Sequence, residues 1–102
     1  MKRSLTEFAA SEIKAIHGLS AKYNGMKGKD HTKALLELVK KHIGELEETF
    51  DAGDPHFVTE AGDLAVLCFE IMAEYKRSAD DVMEECYGRY RKKLSSLIKE
   101  IA

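Results

Sequence analysis

Five residues with metal-binding or acid–base side chains lie close together in the middle of the chain: His42, Glu45, Glu48, Glu60 and Asp63. On a helix, residues three apart differ by about 60° in direction, so each acidic pair would share one side of its helix. Carboxylates on two facing helices supply the oxygen ligands that Mg²⁺ and Mn²⁺ prefer. The spacing therefore predicts a divalent-cation site formed by two acidic pairs, Glu45 with Glu48 and Glu60 with Asp63.

A cation held in this way would neutralise phosphate charge and promote attack by a water molecule. Glu48 is the spare carboxylate that could accept the proton of that water. His42 has two interpretations, because it falls within the apolar stripe of its helix. It is either a hydrogen-bonded core histidine or a fourth ligand, and an imidazole ligand would favour Mn²⁺, Fe²⁺ or Zn²⁺ over Mg²⁺.

Apolar residues recur three to four positions apart along most of the chain, which predicts four helices and no strand. Ser4 and Ser78 open capping boxes, Asp30 and Asp54 are placed as N-caps, and Gly53 suits a left-handed helix end. The predicted helices cover residues 5–23, 31–51, 55–75 and 79 to nearly the C-terminus, with a basic loop at 24–30. The fold class is therefore all-α, and the short second connection predicts an antiparallel hairpin that brings the acidic pairs together.

The third helix is apolar around most of its circumference and should be the central one. Covering it takes more apolar surface than the other helices of a single 102-residue domain provide. We therefore expect residues 1–102 to form one four-helix bundle that is completed by oligomerisation, as a homodimer or homotetramer.

Composition restricts the class of function further. The net charge of −2 gives no basic surface for a nucleic acid polymer. No 18-residue apolar run and no signal-peptide pattern is present, so we expect a cytoplasmic protein without a membrane partner. Cys68 and Cys86 have neither CxxC nor zinc-finger spacing and are interpreted as reduced, packed thiols.

The order of these motifs resembles the MazG-like, all-α nucleoside triphosphate pyrophosphohydrolases over about residues 5–93. The resemblance rests on Ile43-Gly44-Glu45-Leu46, on the Glu-x-x-Asp of Glu60 and Asp63, and on the capped last helix. It implies a Mg²⁺-dependent enzyme that splits an NTP or dNTP into a monophosphate and pyrophosphate. It also implies that cations and a histidine near the nucleotide hold the substrate, for which the candidates here are Lys29, His31, Lys33 and Arg89.

This chain departs from the family pattern at several positions. In the register set by Gly44-Glu45-Leu46, His42 stands where the family has its first Glu, and Lys41 and Glu85 replace other typical residues. If Glu45 and Glu48 are instead taken as the family's first acidic pair, the interval before Glu60 is shorter than the one usual in the family. The alternative function is a non-catalytic MazG-like helical oligomer that binds a nucleotide or a protein partner.

Overall fold

The structure is a computed structural model that describes the backbone of residues 5–102 and the side chains from residue 10 onward. It contains four helices, α1 (Leu5–Met26), α2 (His31–Asp51), α3 (Phe57–Glu74) and α4 (Ala79–Ile101), and no strand among the described residues. The predicted all-α class is thereby confirmed. None of these helices combines the length and apolar character needed to cross a bilayer. The predicted cap at Ser4 and Glu7 lies outside the described side chains.

The central position predicted for α3 is also confirmed, since α3 contacts each of the other helices and packs most extensively on α2. The core is small: Ile13 of α1, Ala34 and Leu35 of α2 and Leu67 of α3 are buried, and Leu35 is the most enclosed of them. These residues come from three helices. The fold is therefore a three-helix core to which α4 is attached by sparse contacts with α3.

The helix α1 is one turn longer than the sequence predicts, because Asn24 and Gly25 are helical rather than part of the loop. The helix ends in a Schellman motif, in which the N–H of Lys29 donates to the carbonyl of Asn24 at 2.9 Å and Gly28 adopts φ +67°. Asn24 is buried and its side chain contacts His31. This tertiary contact holds the additional turn in place.

The connection between α2 and α3 is also a Schellman motif, with Gly53 at φ +67° and the N–H of Asp54 donating to the carbonyl of Thr49 at 2.9 Å. The expected N-cap at Asp54 is wrong by two residues. Its carboxylate accepts from the N–H of His56 at 2.9 Å and closes a turn, so that α3 begins at Phe57. The predicted caps of Asp30 on α2 and Ser78 on α4 are confirmed by hydrogen bonds from Lys33 and Asp81.

A third Schellman motif ends α3. The backbone N–H of Arg77 donates to the carbonyl of Met72, and Lys76 occupies the left-handed position at φ +58°. A residue with a Cβ is strained in this conformation, whereas glycine is not. Gly53 and Lys76 occupy the same left-handed position at their helix ends. Glycine adopts this conformation without strain, whereas lysine is strained in it.

We expect Lys76→Gly to stabilise the protein by about 0.5–1 kcal/mol and Gly53→Ala to destabilise it by about 1 kcal/mol. Urea unfolding followed by circular dichroism measures both values. Each variant serves as the control for the other, because the backbone conformation is shared and only the direction of the exchange differs. A change of the same sign in both would contradict this account of the helix ends.

Candidate metal centre

The antiparallel hairpin of α2 and α3 places His42 against Glu60. The Nδ1 atom of His42 lies 2.9 Å from Oε2 of Glu60 in a hydrogen bond, and 3.4 Å from Oε2 of Glu45 on its own helix. At the closed end of the hairpin the rings of Phe50 and Phe57 meet edge to face, with centroids 5.7 Å apart. These cross-helix contacts set the register that aligns the candidate ligands.

One donor atom each from His42, Glu60 and Asp63 lies within 4.8 Å of the others. We call this cluster, together with Glu45, the α2–α3 site. Neighbouring positions around an octahedral ion with bonds near 2.1 Å are about 3.0 Å apart, and opposite positions about 4.2 Å apart. The contacts of His42 at 2.9 and 3.4 Å fall in this range. The donor set therefore fits a divalent cation with mixed nitrogen and oxygen ligands.

The acids of this site differ in burial, although the sequence presents them as equivalent. Glu60 is 7% exposed, Glu45 is half-buried and Asp63 is exposed. Asp63 thus lies at the solvent side of the site, while Glu60 forms its interior wall. A cation would reach the site from the side of Asp63.

The pKa of Glu60 is lowered from its usual value of 4.5, chiefly by the hydrogen bond with His42. Burial opposes this by raising the pKa, while a hydrogen bond with Glu45 and the charges of His42 and His56 lower it further. The interior carboxyl is therefore held in its ionised form, which is the form that binds a metal.

Sequence reasoning missed His56, whose Nε2 lies 3.3 Å from Oε1 of Glu60. Both carboxylate oxygens of Glu60 are thus next to an imidazole, one on each side. The spacing of four residues between His56 and Glu60 on the predicted third helix was a signal for this pair. His56 is exposed and belongs to the turn before α3.

The remaining predicted site residues are not gathered at the α2–α3 site within one chain. Glu48 is exposed on α2, one turn beyond Glu45. Lys29 and Lys33 are exposed at the opposite end of α2, and Lys33 precedes Glu45 by twelve residues, about 18 Å along the helix. Arg89 is exposed on α4, with Nη2 3.9 Å from Sγ of Cys86. The catalytic role of Glu48 stays a prediction, as does the role of Lys29, Lys33 and Arg89 in substrate binding.

His31 lies instead in a second cluster, which joins α1, α2 and α3. Nε2 of His17 is 3.2 Å and Nε2 of His31 is 3.5 Å from Oε2 of Glu74. The two imidazole centroids are 5.3 Å apart, and Asn24 contacts the other ring nitrogen of His31 at 2.8 Å. We call His17, His31 and Glu74 the three-helix cluster. It was not foreseen, because its residues are far apart in sequence.

No protein-family model, curated protein or solved structure matches this chain.

His42→Ala should raise the pKa of Glu60, because it removes the largest contribution that lowers this pKa. An NMR titration of the metal-free protein measures the change. His56→Ala is the matched control and should raise the pKa less, since its charge is the weakest of the contributions. Equal pKa values in the wild type and His42→Ala would contradict the assignment.

The lowered pKa of Glu60 also makes the free energy of unfolding depend on pH. Because the folded-state pKa of Glu60 is lowered, its ionised form stabilises the fold above the unfolded-state pKa, near 4.5. This contribution is lost as the pH falls through the folded-state value. Acid unfolding of His42→Ala should accordingly depend less on pH below about 4.5 than that of the wild type.

Proposed function

We propose that this protein is a metal-dependent nucleoside triphosphate pyrophosphohydrolase, converting an NTP or dNTP into a monophosphate and pyrophosphate. The observation that carries the proposal is the convergence of donor atoms from His42, Glu60 and Asp63 within 4.8 Å. The resemblance of Gly44-Glu45-Leu46 and of the Glu-x-x-Asp at Glu60 to the MazG-like enzymes supplies the reaction class. We propose Mg²⁺ or Mn²⁺ as the cofactor.

In this proposal His42, Glu45, Glu60 and Asp63 hold the cation. The ion would supply charge neutralisation at the phosphates and ease deprotonation of an attacking water. Glu60 is ionised in advance through its contact with His42, and its burial fixes the position of its carboxylate. Glu48, exposed one turn beyond Glu45, is the base proposed to accept the proton.

Phosphate binding requires cations, and the side chains described from residue 10 onward bring none of the predicted ones to the site, which supports the proposal of a homo-oligomer. A second observation supports it independently: α4 buries none of its residues in the chain. Its apolar face is exposed at Tyr87, Tyr90, Leu94, Ile98 and Ile101. The radius of gyration is 16.4 Å, against about 13 Å for a compact domain of this length. We infer that a second copy covers α4 and contributes cations to the site.

If so, Leu94→Glu/Ile98→Glu should dissociate the protein into single chains, because charges would replace apolar contacts at the interface. Light scattering after gel filtration gives the mass, which for the wild type should be at least twice 11.5 kDa. Ser95→Glu/Lys99→Glu introduces the same residues one position along and should keep the oligomer. A wild type with the mass of one chain, or an unchanged mass in Leu94→Glu/Ile98→Glu, would refute the interface.

The enzymatic proposal predicts release of pyrophosphate from a panel of nucleoside triphosphates with Mg²⁺ or Mn²⁺. Glu60→Gln/Asp63→Asn should lower this rate by more than about 100-fold, since even residues behind a metal ligand contribute about 10- to 100-fold. Glu47→Gln/Asp51→Asn, at exposed positions of α2, is the matched control and should retain activity. Turnover that survives the loss of both Glu60 and Asp63 would refute the mechanism.

The second candidate function is a non-catalytic oligomer that binds a nucleotide or a protein partner. The hydrogen bond of His42 to Glu60 favours it, because this bond occupies two candidate ligands without any cation. His42→Glu, which restores the family residue, separates the two candidates. Activity in the wild type supports the enzyme, whereas turnover that appears only in His42→Glu with Mg²⁺ supports a binding protein derived from one.

A further inference from the structure

We propose that the three-helix cluster of His17, His31 and Glu74 is a zinc site, distinct from the α2–α3 site. The two are separated along α3 by the fourteen residues from Glu60 to Glu74, about 21 Å of helix. Two imidazoles and one carboxylate are a donor set that zinc uses in proteins, with a fourth position left for water or another ligand. The proposal is independent of the proposed enzymatic function.

The distances fit a tetrahedral ion. With bonds of about 2.1 Å, two ligand atoms of tetrahedral zinc lie about 3.4 Å apart. Nε2 of His17 and Nε2 of His31 lie 3.2 and 3.5 Å from the same oxygen of Glu74. One donor atom from each of the three residues falls within 4.8 Å of the others. Little movement is therefore needed to place an ion among them.

Hydrogen bonding alone does not account for the cluster. Nε2 of His31 is enclosed and has no hydrogen-bond partner among the described residues. Buried polar atoms are normally paired, because an unpaired one loses its interaction with water without compensation. His42, by contrast, makes a hydrogen bond with its carboxylate. The open nitrogen of His31 is the atom that faces Glu74, where an ion would lie.

The local charge also suits a divalent cation. Glu70 precedes Glu74 by one turn on the same face of α3, is 3% exposed, and has an Oε1 atom without a partner among the described residues. A buried carboxylate is unfavourable unless a proton or a positive charge offsets it. The charges of Glu70 and Glu74 together equal that of one zinc ion. No lysine or arginine side chain forms an ion pair with either acid among the described residues.

Asn24 completes the site by holding the ring of His31. It is buried, and its amide lies 2.8 Å from Nδ1 of His31. A half-turn of the amide presents Oδ1 to a proton on Nδ1, which leaves the lone pair of Nε2 free for metal. Histidine ligands in metal sites commonly donate their second N–H in this way. The additional turn of α1 that carries Asn24 therefore has a role in the site.

Zinc bound here would link three helices. The buried residues of α1 are Ile13 and Asn24 among its described side chains, so its packing on α2 and α3 is light. An ion held by His17, His31 and Glu74 would join one residue of each helix. Because zinc would bind only the folded arrangement, it should raise the melting temperature.

The decisive experiment is NMR of the full chain labelled with ¹⁵N-histidine, with and without one equivalent of Zn²⁺. We expect the Nε2 resonances of His17 and His31 to move to the range of metal-bound nitrogen. If only His42 and His56 respond, or no histidine responds, the proposal is overturned. This measurement needs no substitution in the cluster, so a variant that fails to fold cannot leave the question open.

Calorimetry supplies the quantitative test in a background of Glu60→Gln/Asp63→Asn, which disables the α2–α3 site. We expect one zinc ion per chain, and at least tenfold weaker binding after Glu74→Gln or His31→Gln. His56→Gln, a histidine outside the cluster, is the matched control and should bind zinc as the background does. Equal affinity in the background and in Glu74→Gln would show that the cluster is only a histidine–carboxylate contact.

Discussion

The tight connection between α2 and α3 is the constraint on which the rest of the structure depends. The Schellman motif at Gly53 reverses the chain within a few residues, and the turn closed by Asp54 delays the start of α3 until Phe57. This fixes which residues of the two helices face one another. His42 meets Glu60, and about three to four turns of helix further along the same interface His31 approaches Glu74 with help from α1. Both clusters are consequences of one register.

The central helix has an unusual inner face, because carboxylates occupy positions where a bundle normally places apolar residues. Glu60 and Glu70 are buried on α3, and Glu74 is half-buried. Buried carboxylates are tolerated only with partners. At each end of the helix the partners are imidazoles, which can share a proton with a carboxylate or a metal ion with it. Each of these clusters has side chains that could hold a metal ion.

A small core accompanies this polar interior. Four apolar residues are buried among the side chains that the structure describes, and α4 lies with its apolar face exposed. Domains of this size bury a limited fraction of their surface and often gain stability from metals or from assembly. A cation in either cluster, or a second copy on α4, would add interactions that the single chain does not provide. The two proposals together would couple folding to assembly and to metal binding.

The sequence by itself determined the four helices, the N-caps Asp30 and Ser78, the central place of α3 and the hairpin that sets α2 against α3. Those features follow from local periodicity and from a short connection, both of which act over a few residues. The tertiary structure decided the unequal burial of Glu60 and Asp63 and the cluster of His17, His31 and Glu74. These depend on side chains that meet only when three helices pack, and no spacing along the chain encodes the distance between them.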